Sequence, residues 1–273
     1  MLRGKRSAPP GQSEMPGYGR AGGASPSARR HQAARRLRAL GAASMVVVLA
    51  GALAFGLLML ATPGVGNARQ LAQAFDRAHG VPYPGVAVPH RFATALEATE
   101  DHRFNEEPGI DPIAVLRVIY GWITRRGDQG GATLYQQLAK MLYTPGQVSL
   151  SAEAEQVALA VKLKYTYSGP EILRLYADVV YFGHGFYGLQ QASCGYFGLP
   201  PDRLSWPQAA LLAGLVQAPS AEDPLKHPAI GRAREQHVLG RLVAVGALSQ
   251  SRANAYFAIP LATLLAHAGA CRG

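Results

Sequence analysis

Cysteine is nearly absent from this chain: Cys194 and Cys271 are the only two among 273 residues. That excludes a small fold framed by disulfides, and no cluster of cysteine and histidine has the spacing of zinc ligands. Charge is also scarce, at 16% of residues, below the ~25% usual for soluble domains. Acids are the rarer kind, 17 Asp+Glu against 27 Lys+Arg, for a formal charge of +10. Such an excess suits a nucleic-acid binder only if it is spread over a folded face. Instead, residues 1–40 hold nine basic side chains (Arg3, Lys5, Arg6, Arg20, Arg29, Arg30, Arg35, Arg36, Arg38) against Glu14 alone, a net +8 that leaves +2 for the rest of the chain. This segment is rich in Gly, Pro, Ser and Ala. It has too little apolar surface to offset its chain entropy and reads as a disordered tail. No nucleic-acid partner is expected.

Long hydrophobic runs are limited to one. Gly41 to Thr62, GAASMVVVLAGALAFGLLMLAT, is 22 residues without a charge, and ~20 helical residues cross a bilayer. Arg35, Arg36 and Arg38 flank its N-terminal side, which places that side in the cytoplasm. A buried core helix does not explain the length and the flanking arginines, and the apolar core of a cleaved leader is shorter. The expected organisation is a basic cytoplasmic tail (1–40), a single-pass anchor in the cytoplasmic membrane (41–63), a linker (64–84), a domain on the outer face (85–260) and a C-terminal tail (261–273). Outside the cytoplasm the two cysteines are able to pair. Nothing in the sequence shows that they meet, and Cys194 reads more simply as a small buried thiol.

Strand-like alternation is scarce, with short β-rich pieces around Val179–Phe182, and there is no internal repeat. Helix-start chemistry is frequent. Asp111-Pro112 reads as an N-cap with proline in the first turn, opening the apolar run Ile113 to Ile123. Thr133 to Gln136, Ser168 to Glu171 and Ser205 to Gln208 each match a capping box. The helix after Ser205 should stop before Pro219. A further helix fits Ala152 to Tyr165, with Glu153 and Glu155 placed well in its first turn. The fold class is mainly α.

Two clusters carry chemistry. Glu100-Asp101-His102-Arg103-Phe104 closes an apolar-patterned helix around Phe92 to Ala98. A carboxylate where a helix meets a loop can act as a general base, and it can equally form a helix-end salt bridge to Arg103. The second cluster runs from Gly130 to Lys140, GGATLYQQLAK. Two glycines before a capped helix leave backbone N–H groups such as that of Gly131 free to face an anion. Gln136 and Lys140, four apart, share a helix face able to hold a phosphate. The Gly-Lys-Ser/Thr ending of a nucleotide-binding loop is absent.

These segments, in this order, resemble the membrane-bound peptidoglycan glycosyltransferases of glycosyltransferase family 51, found as the glycosyltransferase domain of penicillin-binding proteins and as monofunctional relatives. The family's Glu-Asp-x-x-Phe-x-x-His-x-Gly-x-Asp is matched by EDHRFNEEPGID, Glu100 to Asp111. Gly-Gly-Ser-Thr-Ile-Thr-Gln-Gln-Leu-x-Lys is matched by Gly130 to Lys140. ILRLYADVVYFGHGFYG, Ile172 to Gly188, matches a later motif, and YFG at Tyr196, AALLAGLVQAPS from Ala209 and AREQHVLGRL from Ala233 also look like the family. The likeness covers about 85 to 250.

The resemblance implies a lysozyme-like helical domain that polymerises lipid II into a growing glycan chain. Glu100 is then the general base. Lys140, Gln136, Gln137, Thr133, Gly131 and Arg103 bind the substrate pyrophosphate, with Asp101, Phe104 and Gln156 in support. It also implies Mg²⁺ or Mn²⁺ acting through that pyrophosphate, with no metal site of the protein's own and no organic cofactor. Ile110 to Trp122 falls where the family has a membrane-dipping jaw, and an ordinary buried helix face fits that stretch equally well. No Ser-x-x-Lys follows, so no transpeptidase is expected.

The chain departs from the pattern in places that matter. The family's third motif, Arg-Lys-x-x-Glu-x-x-x-Ala-x-x-Leu-Glu, falls on Ala152 to Lys164. Its basic pair becomes Ala152 and Glu153 and its glutamate becomes Gln156. A preceding basic position falls at about Val148, the first motif's histidine is Glu107, and the serine after Gly-Gly is Ala132. Gln156 can donate and accept hydrogen bonds but supplies no charge. Glu153 and Glu155 lie about 60° and 100° around the helix from it, and neither overlays it. Three readings stay open: an active glycosyltransferase with a modified donor site, a catalytically weak membrane-anchored homologue that binds lipid II or a cell-wall partner as a scaffold, and a lysozyme-like glycan-cleaving enzyme. The GGATLYQQLAK segment favours transfer over cleavage, because hydrolysis needs no pyrophosphate clamp.

Overall fold

The structure, a computed structural model, describes residues 26–106, 109 and 132–269. The chain divides into two compact units, residues 1–54 and 55–273. Most of the first unit's described part is helix α1, Pro26–Ala61, whose last turns belong to the second unit. Its stretch Leu40–Ala61 is, among the described residues, the one helix long and apolar enough to cross a bilayer, and none of it is buried. Residues 26–40, expected to be disordered, form the first turns of α1. The sequence there (SARRHQAARRLRAL) is made largely of alanine, arginine and leucine, all strong helix formers. Residues 1–25 lie outside the described residues.

The second unit is helical, and among its described residues the only β-pairing is one isolated bridge between Tyr181 and Tyr187. The helices are α2 (Ala68–His79), α3 (His90–Glu100), α4 (Leu134–Tyr143), α5 (Leu150–Thr166), α6 (Gly169–Val179), α7 (Gly188–Phe197), α8 (Trp206–Leu215), α9 (Pro228–Ala244), α10 (Gln250–Phe257) and the short α11 (Leu261–Leu264). Helix α8 is apolar all round and buried from Pro207 to Leu215, as a helix at the centre of a core should be. Helices α3 and α9 pack on it and on each other, α4 lies on α5 and α6, and α2 and α7 pack on α6. One continuous core joins them, and its largest fully buried side chains are Tyr135, Tyr176, Tyr196, Phe92, Phe104, Phe182 and Phe197.

Several expectations shift once the chain is folded. The stretch 64–84, read as a linker, carries α2, with Ala68 and Ala72 fully buried. The mixed run ARQLAQAFDRAH hides this, because its apolar face is narrow and built on alanines. The C-terminal tail from 261 begins as α11, with Leu264 buried. Ser168 does not cap α6 through its side chain: the Glu171 N–H donates to Ser168 O at 3.0 Å, and the Glu171 carboxylate, the other half of the expected box, pairs with Arg69 at 2.5 Å. At α8, Gln208 Oε1 accepts from both the backbone N–H and the hydroxyl of Ser205, at 3.0 and 2.7 Å. Cys194 is not a buried thiol but half-buried and disulfide-bonded. The chain's other cysteine, Cys271, lies outside the described residues. Nearby, Gly269 N–H donates to Gly195 O at 2.8 Å, which ties the end of the chain to α7. The Asp111-Pro112 cap, the apolar run to Ile123 and the stretch assigned to a jaw also fall outside the described residues.

Candidate active site

Glu100 is the last residue of α3, and Asp101 is its C-cap. Asp101 is buried, and its Oδ2 accepts the backbone N–H of Leu134 at 3.0 Å. It thereby satisfies one of the unpartnered donors in the first turn of α4 and locks the end of α3 to the start of α4. Thr133 completes that start: its Oγ accepts the N–H of Gln136 at 3.2 Å while Gln136 Oε1 accepts the N–H of Thr133 at 3.0 Å. The same Thr133 hydroxyl donates to Gly109 O at 2.9 Å. Gly109 has φ +90°, and a Cβ there would lie 2.6 Å from Ala160 O of α5. Only glycine allows this approach, which explains why the first segment needs one at this point.

This arrangement brings α4 against Glu100. Gln137 Nε2 donates to Glu100 Oε2 at 3.1 Å and also reaches Ala132 O at 3.1 Å. Its Oε1 accepts the hydroxyl of Tyr176, on α6, at 2.8 Å. On the other side of the carboxylate, Arg234 Nη2 of α9 lies 3.7 Å from Glu100 Oε1. Arg234 is itself held by Gly214 O at 3.0 Å and by Glu222, 3.4 Å away. Glu100 retains only 13% of its side-chain exposure. Burial raises its pKa above the ordinary carboxylate value, the hydrogen bond from Gln137 and the charge of Arg234 pull it back, and the charge of Asp101 adds a smaller rise. A carboxylate placed this way can take up a proton from a bound hydroxyl.

The remaining sequence-selected residues divide clearly. Phe104 is buried and stacked on Tyr135, with centroids 4.9 Å apart. Lys164 lies over the Tyr135 ring at 5.2 Å and donates to Phe104 O at 3.3 Å, so Phe104 supports the loop and does not line the site. Arg103 is half-buried in the turn after α3. Lys140 is exposed one turn beyond Gln137 and forms no ion pair with a described residue. Gln156 Nε2 donates to Thr144 Oγ1 at 2.9 Å, at the C-cap of α4. Ala152 is buried and Glu153 exposed. Gly131 lies outside the described residues. Among the described residues no group of three or more His, Cys, Asp or Glu side chains converges as a metal-ligand set.

Sequence reasoning missed Arg234, Tyr176 and Glu222 as members of this cluster. Arg234 and Tyr176 lie in segments already singled out, AREQHVLGRL and ILRLY, and the signal was there as a motif without a role. Glu222 follows Ser220 by two residues and carried no signal.

The transglycosylase family model matches residues 68–243 of this chain. Penicillin-binding protein 1A of Aquifex aeolicus is 38% identical over 160 residues, covering 58% of this chain and 22% of that protein. Penicillin-binding protein 1A of Streptococcus pneumoniae is 37% identical over 165 residues, covering 59% and 23%. A Cupriavidus necator protein provisionally named a transglycosylase is 32% identical over 174 residues, covering 64% and 75%. Against the two penicillin-binding proteins, this chain therefore spans less than a quarter of their length.

Proposed function

The chain belongs to the transglycosylase family, and on that premise we propose that it is a peptidoglycan glycosyltransferase that polymerises lipid II at the outer face of the cytoplasmic membrane. The observation that carries the reading is the hydrogen-bond chain Tyr176–Gln137–Glu100, which joins three separate motifs at one partly buried carboxylate.

In the proposed reaction Glu100 removes the proton from the 4-hydroxyl of the acceptor's N-acetylglucosamine. That oxygen forms a bond to C1 of the growing chain, the bond from C1 to phosphate breaks, and the electron pair leaves with undecaprenyl pyrophosphate. Gln137, fixed by Tyr176, donates to the ionised form of Glu100 and orients it. Lys140 is the exposed cation of α4 offered to the leaving pyrophosphate, with Gln136 and Thr133 forming the capped helix start beside it; preorganised donors of this kind stabilise developing negative charge. A divalent ion, where one takes part, would come with the substrate pyrophosphate and offset its charge. The membrane anchor is α1, and Arg35, Arg36 and Arg38 set its N-terminal end in the cytoplasm.

Gln156 favours a second reading. Its amide is spent on Thr144 and it brings no charge to the donor side, which suits a homologue that holds lipid II and polymerises it weakly. One assay separates the two: purified protein with labelled lipid II, with and without Mg²⁺ or Mn²⁺, beside Glu100→Gln. Polymer that depends on Glu100 supports the transferase. Lipid II binding without polymer under any condition supports the scaffold.

A further inference from the structure

The chain between the apolar helix and the helical body is fastened from two helices and the residue that follows one of them. Lys162 Nζ, on α5, donates to Thr62 O at 2.7 Å, Thr62 Oγ1 at 2.8 Å and Pro63 O at 3.0 Å. Tyr143, the last residue of α4, and Tyr167, just beyond α5, both donate their hydroxyls to Val65 O, at 3.1 and 2.8 Å. Tyr143 also reaches Asn67 Oδ1 at 3.1 Å. The last carbonyls of a helix lack partners within it, and an ammonium there both caps them and offsets the negative end of the helix dipole. None of these side chains takes part in the proposed reaction.

We propose that the C-terminal end of α5 around Tyr165, clamped to the exit of α1 by Lys162, Tyr143 and Tyr167, is a docking face that sits in the lipid headgroup layer. The proposal rests on the membrane-anchor reading and goes beyond it by assigning the depth of a face of the body. The depth follows from length. The 22 residues Leu40–Ala61 rise about 33 Å as a helix, against a hydrocarbon core ~30 Å thick. Ala61 therefore reaches the edge of the hydrocarbon, and Thr62 to Val65 lie among the headgroups. Lys162 touches Thr62 directly and shares that depth. Tyr165 stands three residues on, one turn along the same face, at about 5–6 Å between Cβ atoms.

Tyr165 is 77% exposed, a large ring at the C-terminal end of a helix whose Ala158, Leu159, Ala160 and Leu163 are packed inward and whose first residue, Leu150, is exposed at the opposite end. A ring with a hydroxyl at its tip is the side chain that bilayer interfaces enrich. Arg69 belongs to the same neighbourhood, its guanidinium 5.3 Å from the Tyr167 ring and paired with Glu171 at 2.5 Å. Helix α4 carries the consequence to the site. Gln137, which holds Glu100, precedes the clamp residue Tyr143 by six positions, about 9 Å along the axis. Clamping the exit to α4 thus fixes the separation between bilayer and carboxylate, where a lipid-borne pyrophosphate lies.

The test uses the full chain reconstituted in phosphatidylcholine–phosphatidylglycerol vesicles, with a spin label on Leu60→Cys or Tyr165→Cys. Accessibility to oxygen and to a water-soluble nickel chelate reports depth. The label at 60 should lie in hydrocarbon and the label at 165 in the headgroup layer. With Lys162→Met and Tyr167→Phe added, the label at 165 should become several-fold more accessible to the chelate. A label at 60 that lies in water would sink the anchor reading itself. A label at 60 in hydrocarbon with the one at 165 fully aqueous, or broadened by a label on a second copy, overturns the docking face alone. A label at 165 that keeps its depth in the clamp variants overturns the clamp.

Discussion

At the scale of single residues, the behaviour of Glu100 depends on neighbours that oppose one another. Burial disfavours its charge, and Gln137 and Arg234 favour it. A base works only when ionised, so polymerisation should fall as pH drops through the raised pKa of Glu100. Gln137→Ala removes a hydrogen bond to the ionised form and should push that pKa further up. The acid limb of the pH–rate profile then moves to higher pH, while Glu100→Gln lowers the rate on lipid II by about 10²–10⁴-fold, the usual contribution of general-base catalysis. An acid limb that stays in place in Gln137→Ala would contradict the role given to the amide. Tyr176→Phe frees the other end of the same amide and should shift the limb in the same direction, by less.

At the scale of elements, α4 is the member that links the parts. Its start is held by Asp101 and the Thr133–Gln136 capping box, and its end by Gln156 and the exit segment. Thr133→Ala should cost about 0.5–2 kcal/mol of unfolding free energy, the range for losing an N-cap, read from thermal or urea denaturation. Gln156→Ala leaves the hydroxyl of Thr144, a residue only 1% exposed, without its partner. A cost of about 1–3 kcal/mol is expected, as for any buried polar group left unsatisfied. A loss of that size would assign Gln156 a structural share that the motif comparison does not give it. The capping box around Thr133 and the end of α8 were legible because their chemistry is local. The missing Glu171 half of the box at Ser168 was not, because that carboxylate pairs with Arg69, a residue 102 positions away.

At the scale of the whole molecule, buried carboxylates outside the site set the pH dependence of stability. Asp76 on α2 is fully buried; burial first, and then the charge of Asp178, push its pKa up to about 7. Asp178 on α6 is raised to about 6, chiefly by burial and against a hydrogen bond from Gly85. Glu235 on α9 is raised to about 7 by burial, against the pull of Arg232. A carboxyl whose folded pKa is raised contributes fully below its unfolded value and loses that contribution as pH rises through the folded one. Stability should therefore decline from about pH 4 to above pH 7. Asp76→Asn should raise the melting temperature at pH 8 relative to the parent chain and flatten its pH dependence, measured from pH 5 to 8. An unchanged slope would show that Asp76 is not the group responsible.

The sequence by itself determined the local and the linear: one apolar run of membrane length, a mainly helical body, the capped start of α4, and Glu100 and Gln137 as members of motifs. Each of these depends on side-chain type and on spacings of a few residues, where helix periodicity and capping act. Only the tertiary structure decided which motif members meet. Tyr176, Arg234 and Glu222 join Glu100 because α6, α9 and the segment after α8 pack beside α3 and α4, and that packing is set by burial of apolar faces far apart in the chain. The same cause turned an expected linker into α2, gave Cys194 a disulfide, and brought Lys162 of α5 to the exit of α1. The +10 with which the composition begins belongs mostly to residues 1–40; the 18 Lys+Arg of the rest nearly balance its 16 Asp+Glu, and packing decides which of them meet Glu100 and Thr62.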